Sequence, residues 1–222
     1  METTCDSSAR ILNAATRLFA EKGFHGVTTR QIAAASELNM ATVHHHLGAK
    51  SDVYLAVLRR FYDEEAALVR QFVAASRIGD IEDSGHLRRV LFRLVDAQIM
   101  HVCRAPERAW LYMRRWLETA PGVEHTPEGD AAEVAEFESF QSKALFAPLR
   151  AIVRRAEKRG LICCQADPAM IIRGFDWLLY SYFTCGPVEG KRWRGDPRAK
   201  ENLRRFKRFI HTYLISMLQL NE

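Results

Sequence analysis

The sequence predicts an all-α protein, with a three-helix helix-turn-helix domain over residues 1–50 and a larger helical domain over residues 51–222. Three observations predict it. Apolar residues recur at helical spacing through most of the chain. Helix-start signals stand ahead of several of those runs: Thr28 with Gln31, then Asn39, then Asp167 before Pro168. Glycine and proline punctuate them, at Gly23, Gly48 and Gly160 and in the segments APGVEHTPEGD and CGPVEGKRWRGDP.

The first helix is expected over Ser7 to Lys22, where Ile11, Leu12, Ala15, Leu18 and Phe19 make one apolar face and Arg10, Asn13, Arg17 and Glu21 fall between them. Gly23 stops it, with Phe24 as the accompanying apolar contact. Thr28 and Gln31 form a capping box that opens a second helix at Thr28 or Thr29. Asn39 caps a third, in which Leu38, Val43 and Leu47 point inward. Met40, Ala41, Thr42, His44 and His45 are then left on the outer face, which presents small, polar and hydrogen-bonding groups suited to a major groove.

A fourth helix is expected from Lys50 to about Arg77, without proline or glycine, long enough to leave one domain and enter the next. Helices follow over His86 to Arg104 and Glu107 to Thr119, then a tract from Ala131 to Arg159 that Pro148 interrupts. The helix opened by Asp167 and Pro168 is apolar almost all round, so it needs several neighbours, one of which a second copy of the chain can supply. The last helix, from about Pro197 to Leu218, is amphipathic.

The segments ILNAATRLFAEKGFHGVTTRQIA and LNMATVHHHLGAKSDVYLAVL resemble the DNA-binding domain of the TetR (tetracycline-repressor-like) family. The resemblance implies that Thr28, Thr29 and Arg30 meet phosphate. It also implies that Asn39, Met40, Ala41, Thr42, His44, His45 and His46 populate the recognition helix, and that Lys50 reaches the DNA backbone. It further implies a homodimer through the last two helices, a near-palindromic double-stranded operator, and release on binding a small-molecule effector. Three positions depart from the family pattern: Glu37 stands where glycine is usual in the turn, His44 where tyrosine is usual, and Leu47 in place of phenylalanine. A left-handed Glu37 is expected to cost roughly 1–2 kcal/mol.

With 48% hydrophobic and 27% charged residues, the 222-residue chain can bury a substantial core. A net charge of +5 fits a nucleic-acid partner and an ordinary mixed-charge surface equally. No apolar run reaches the about eighteen residues of a membrane span, and METTCDSSAR lacks a signal-peptide core, so no membrane partner and a cytoplasmic location are expected. Cys5, Cys103, Cys163, Cys164 and Cys185 show no C-x-x-C spacing and are expected to be reduced; redox sensing by the adjacent pair is the rarer reading.

Successive side chains on a helix diverge by about 100°, so His44, His45 and His46 cannot converge on one metal ion, and no metal or cofactor is expected. The sequence carries no G-x-S-x-G, Walker loop, H-E-x-x-H or G-x-G-x-x-G, so no enzyme is expected. For an effector, Trp110, Met113, Trp116, Phe137, Phe140 and Trp177 offer large adaptable surfaces, although core packing is the commoner role of such residues. The expectation is a DNA-binding transcriptional regulator, most simply a repressor whose operator affinity falls on binding a small apolar or aromatic molecule. The alternative is an all-helical adaptor or small-molecule binder with a degenerate helix-turn-helix.

Overall fold

The computed structural model describes residues 2–75, 81, 83–118, 145–189, 192–193 and 195–220. These contain nine helices: α1 Glu2–Lys22, α2 Thr29–Ala35, α3 Met40–Leu47, α4 Lys50–Ala75, α5 Ser84–Arg104, α6 Glu107–Glu118, α7 Ala147–Lys158, α8 Pro168–Cys185 and α9 Lys200–Leu218. The all-α expectation holds. Its one exception among the described residues is a two-residue antiparallel ribbon, β1 Val188–Glu189 and β2 Arg192–Trp193, inside the segment expected as loop.

Local signals explain most boundaries. Thr28 is the N-cap of α2: its hydroxyl accepts from the Gln31 amide at 3.2 Å, and the Gln31 side chain accepts from the Thr28 amide at 2.8 Å. Asn39 caps α3 by accepting from the Thr42 amide at 2.7 Å. Asp83 and Asp167 cap α5 and α8 in the same manner. Pro148 falls in the first turn of α7, where its missing N–H costs nothing. Three starts differ from expectation: α1 begins five residues earlier, at Glu2, α5 two earlier, at Ser84, and α9 three later, at Lys200. In the last case Asp196 ties up the Arg198 amide in a turn of its own. The expected helical tract over residues 131–144 lies outside the described residues.

The chain divides into two compact units, Met1–Glu64 with Glu107–Pro127, and Glu65–Pro106 with Glu128–Glu222. The division therefore falls inside α4 and assigns α6 to the N-terminal unit, rather than making a single cut after residue 50. In the first unit, Ile11, Ala15, Phe19, Val27, Ile32, Val43, Val53 and Val57 form one buried cluster, and Leu111 of α6 belongs to it. Arg114 of α6 donates from Nε to the Ala20 carbonyl at 2.7 Å and from Nη2 to the Glu21 carbonyl. Those carbonyls lie in the last turn of α1, so a cation from a distant part of the chain neutralises the negative end of that helix.

In the second unit, α8 packs against α5 and α7, and α5 against α9. Ile99, Val102, Leu179, Tyr180, Phe183 and Ile210 are among its buried residues. The Tyr182 and Phe206 rings stack with centroids 3.9 Å apart. At Gly174 an added Cβ would stand 2.5 Å from the Tyr213 hydroxyl, which donates to the Ile171 carbonyl at 2.9 Å, so glycine allows α8 and α9 to close on each other there.

Candidate nucleic-acid interface and buried cavity

The candidate interface is built on one inward residue. Val43 is fully buried, and with Leu38 and Leu47 packed beside it, α3 is fixed in rotation. Met40, Ala41, His44 and His45 are consequently exposed, while Thr42 and His46 are half-buried. The His45 and His46 rings meet edge to face at 5.5 Å, whereas His44 lies elsewhere on the helix surface. Two expected DNA contacts also serve the fold: the Asn39 side-chain oxygen accepts from both the amide and the hydroxyl of Thr42. Thr28 is likewise engaged in its capping box, with Thr29 half-buried and Arg30 exposed beside it. Lys50 donates from Nζ to the Phe24 carbonyl at 3.1 Å and sits 4.2 Å from the centre of the Phe24 ring.

The turn between α2 and α3 shows how the sequence accommodates its departure from glycine. Glu37 has φ of +55°, with its amide bonded to the Ala34 carbonyl and the Leu38 amide bonded to the Ala33 carbonyl. This is a Schellman stop with a glutamate at its left-handed position. Arg10 of α1 reaches across to the Glu37 carboxylate at 3.2 Å and to its carbonyl at 3.4 Å. Because the Glu37 side chain is 86% exposed, that pair contributes about 0–1 kcal/mol, less than the cost of the backbone conformation. Glu37→Gly is therefore expected to raise stability by up to about 1 kcal/mol in thermal or denaturant unfolding. A lower stability would mean that the Arg10 contact outweighs the strain.

Gly48 ends α3 with φ of +75°, and a Cβ there would meet the Asp52 carboxylate at 2.4 Å. That carboxylate accepts from the Ala49 amide at 2.7 Å and so caps the start of α4.

The second unit contains a cavity of about 700 Å³, including its open mouth, bounded by α4, α5, α7, α8 and α9 and lined chiefly by aliphatic side chains. Its polar lining residues are Gln98 of α5, 7% exposed, and Asp176 of α8, 8% exposed. Among the described residues, neither Oε1 of Gln98 nor Oδ2 of Asp176 has a hydrogen-bond partner. Burial pushes the Asp176 carboxyl well above the usual carboxylate range, the nearby Glu65 reinforces the shift, and Arg173 opposes it. Glu65 itself is buried and accepts a hydrogen bond from the Tyr180 hydroxyl.

Of the residues expected to meet an effector, Trp110, Met113 and Trp116 lie on α6 in the first unit. Trp177 is on α8 but 49% exposed and is not part of the cavity lining. Phe137 and Phe140 lie outside the described residues. The signal that points to Gln98 and Asp176 is compositional: each is a polar residue with apolar neighbours on both sides, in AQIM and FDWLLY. The thiol of Cys163 is exposed, whereas burial and the neighbouring Glu157 push Cys164 up to about 11, so Cys164 remains a thiol at neutral pH. Cys5 lies outside the residues whose side chains are described.

An exposed face on a short capped helix, rotated by one buried valine and preceded by a tight stop, defines a helix-turn-helix of the kind found in DNA-binding proteins. Residues 11–57 match the family model of bacterial regulatory proteins, tetR family. Over those residues the chain is similar to the DNA-binding domain of that family.

The HTH-type transcriptional repressor AcnR of Corynebacterium glutamicum is 32% identical over 76 residues, 34% of this chain and 38% of AcnR. The HTH-type transcriptional regulator UidR of Escherichia coli is 36% identical over 61 residues, 28% of this chain and 30% of UidR. The matched stretch thus spans only 38% of AcnR and 30% of UidR. Over nearly the whole chain, the fold resembles that of AibR solved with isovaleryl coenzyme A and operator DNA, with a TM-score of 0.60, 19% identity, and 96% of this chain and 97% of AibR covered. No helix among the described residues is long and apolar enough to cross a membrane.

Proposed function

We propose that the protein is a dimeric, effector-responsive transcriptional regulator that binds a near-palindromic operator through α3 and acts as a repressor. The observation that carries this reading is the outward face of α3, where Met40, Ala41, His44 and His45 are exposed while Val43 anchors the opposite side. Histidine can donate to and accept from base edges, and the alanine and methionine can meet a thymine methyl. Thr28, Thr29, Arg30 and Lys50 would set register on phosphate, with Asn39, Thr42 and His46 completing the recognition helix.

Residues 1–50 would supply the DNA-reading helices, and residues 51–222 the effector site and the dimer contacts. Met170 and Trp177 of α8 and Phe209 and Ile215 of α9 are large apolar residues left exposed on the last two helices, and they support a dimer formed there. The aliphatic cavity of the second unit supports an effector site. Occupancy of that site would favour a conformation in which the paired recognition helices no longer match successive major grooves. The AibR complex with an acyl-coenzyme A and operator supports the pairing of these two activities on one such fold.

The test is a mobility shift with DNA from upstream of the chain's own gene against random duplex at fixed, moderate salt. The native protein is expected to prefer its own site. His45→Ala should weaken that binding about tenfold, as for the loss of one base contact, with an unchanged melting temperature. Equal affinity for random duplex would favour the adaptor reading.

A further inference from the structure

The aliphatic cavity is not featureless: Gln98 and Asp176 bring two buried polar atoms to its wall, and both atoms lack partners among the described residues. Burying such groups unpaired costs stability, so a cavity that retains them is shaped for something that pairs with them. We infer that the cavity takes an uncharged, mainly aliphatic molecule with one polar group that both donates and accepts hydrogen bonds, a hydroxyl or a primary carboxamide. This rests on the effector-responsive reading above and names the chemical class of the effector.

The walls contributed by Leu91, Leu94, Leu149 and Ile172 match an alkyl or alicyclic body. Oε1 of Gln98 requires a donor, while the Asp176 carboxyl, whose protonated form is favoured by burial and by Glu65, can in that form donate to an acceptor. One hydroxyl or carboxamide meets both needs. Among the described residues no lysine, arginine or histidine lines the cavity, so a carboxylate would lose its hydration with no cation among those lining residues to replace it. An ammonium would require Asp176 to ionise beside Glu65.

The experiment uses the full chain and five matched ten-carbon probes: 1-decanol, decanamide, decane, decanoate and decylamine, each read by the shift in melting temperature with concentration. Decanol and decanamide should bind at least about tenfold more tightly than the other three. Gln98→Leu and Asp176→Leu should each reduce decanol binding about tenfold, whereas Asp176→Asn, which keeps an uncharged donor and acceptor, should restore it. Unliganded melting curves of all three variants show whether each is folded.

Equal or tighter binding of decanoate or decylamine overturns the inference, as does decane binding as well as decanol. Absence of any shift with decanol and decanamide also overturns it. A mobility shift run in parallel separates the two claims. If the native chain does not prefer its operator but decanol binds as described, the regulator reading fails and the assignment of the cavity stands. If operator binding holds and neither polar probe binds, the reverse is true.

Discussion

Phe209→Arg is expected to convert the protein to a monomer and to lower its operator affinity by on the order of a hundredfold or more. Phe209 is 50% exposed on α9, so an arginine can be solvated there without disturbing the single chain. In a dimer, the same position would place two cations across a two-fold interface, where like charges repel and apolar burial is lost. The affinity loss follows because binding of the second recognition helix becomes a separate bimolecular event. Light scattering and a mobility shift on the same preparation provide the check. A variant that remains dimeric places the interface elsewhere.

Asp176→Asn is expected to make the unliganded protein more stable than the native chain at neutral pH, with the difference shrinking as the pH is lowered. The sign follows from the raised carboxyl. Below the ordinary carboxylate range, Asp176 is protonated in both the folded and unfolded chain, so its ionisation contributes nothing to the stability difference. As pH rises, the unfolded chain ionises first, and the folded chain loses stability until its own higher pKa is passed. The groups that bear on Asp176 are Glu65, which raises the shift, and Arg173, which opposes it. Asparagine has no proton to lose, so the variant should show a flatter profile in unfolding experiments across acid and neutral pH. Parallel profiles for the two proteins would mean that Asp176 titrates like an exposed carboxylate.

Much of the helix-turn-helix was legible because its determinants are local. The capping box at Thr28, the cap at Asn39, the stops at Gly23 and Gly48, and the left-handed Glu37 all involve residues within a few positions of one another. The inward set of α3 followed from helical spacing alone. The place of α6 was not legible, because Leu111 joins a cluster drawn from Ile11 to Val57, Arg114 reaches carbonyls more than ninety positions away, and nothing in ERAWLYMRRWLE announces those partners. The cavity was illegible for the same reason. Large aromatic residues drew attention by size, whereas the described lining is chiefly aliphatic, with Phe175 and two isolated polar residues, and the face a residue presents to a neighbour depends on packing between distant helices. Arg10 is a smaller instance: its pairing with Glu37 joins α1 to a turn that local rules describe as self-sufficient.

The hold that Arg114 takes on the end of α1 bears on attempts to build hybrid regulators from this chain. The helix-turn-helix head is not a portable N-terminal cassette. Grafted onto a foreign helical body as residues 1–50, it would leave behind both the side chain that plugs its core at Leu111 and the cation that quiets the last turn of its first helix. A working chimera has to carry the matching face of α6 along with it, so the seam between donor and host belongs on two separate stretches of sequence.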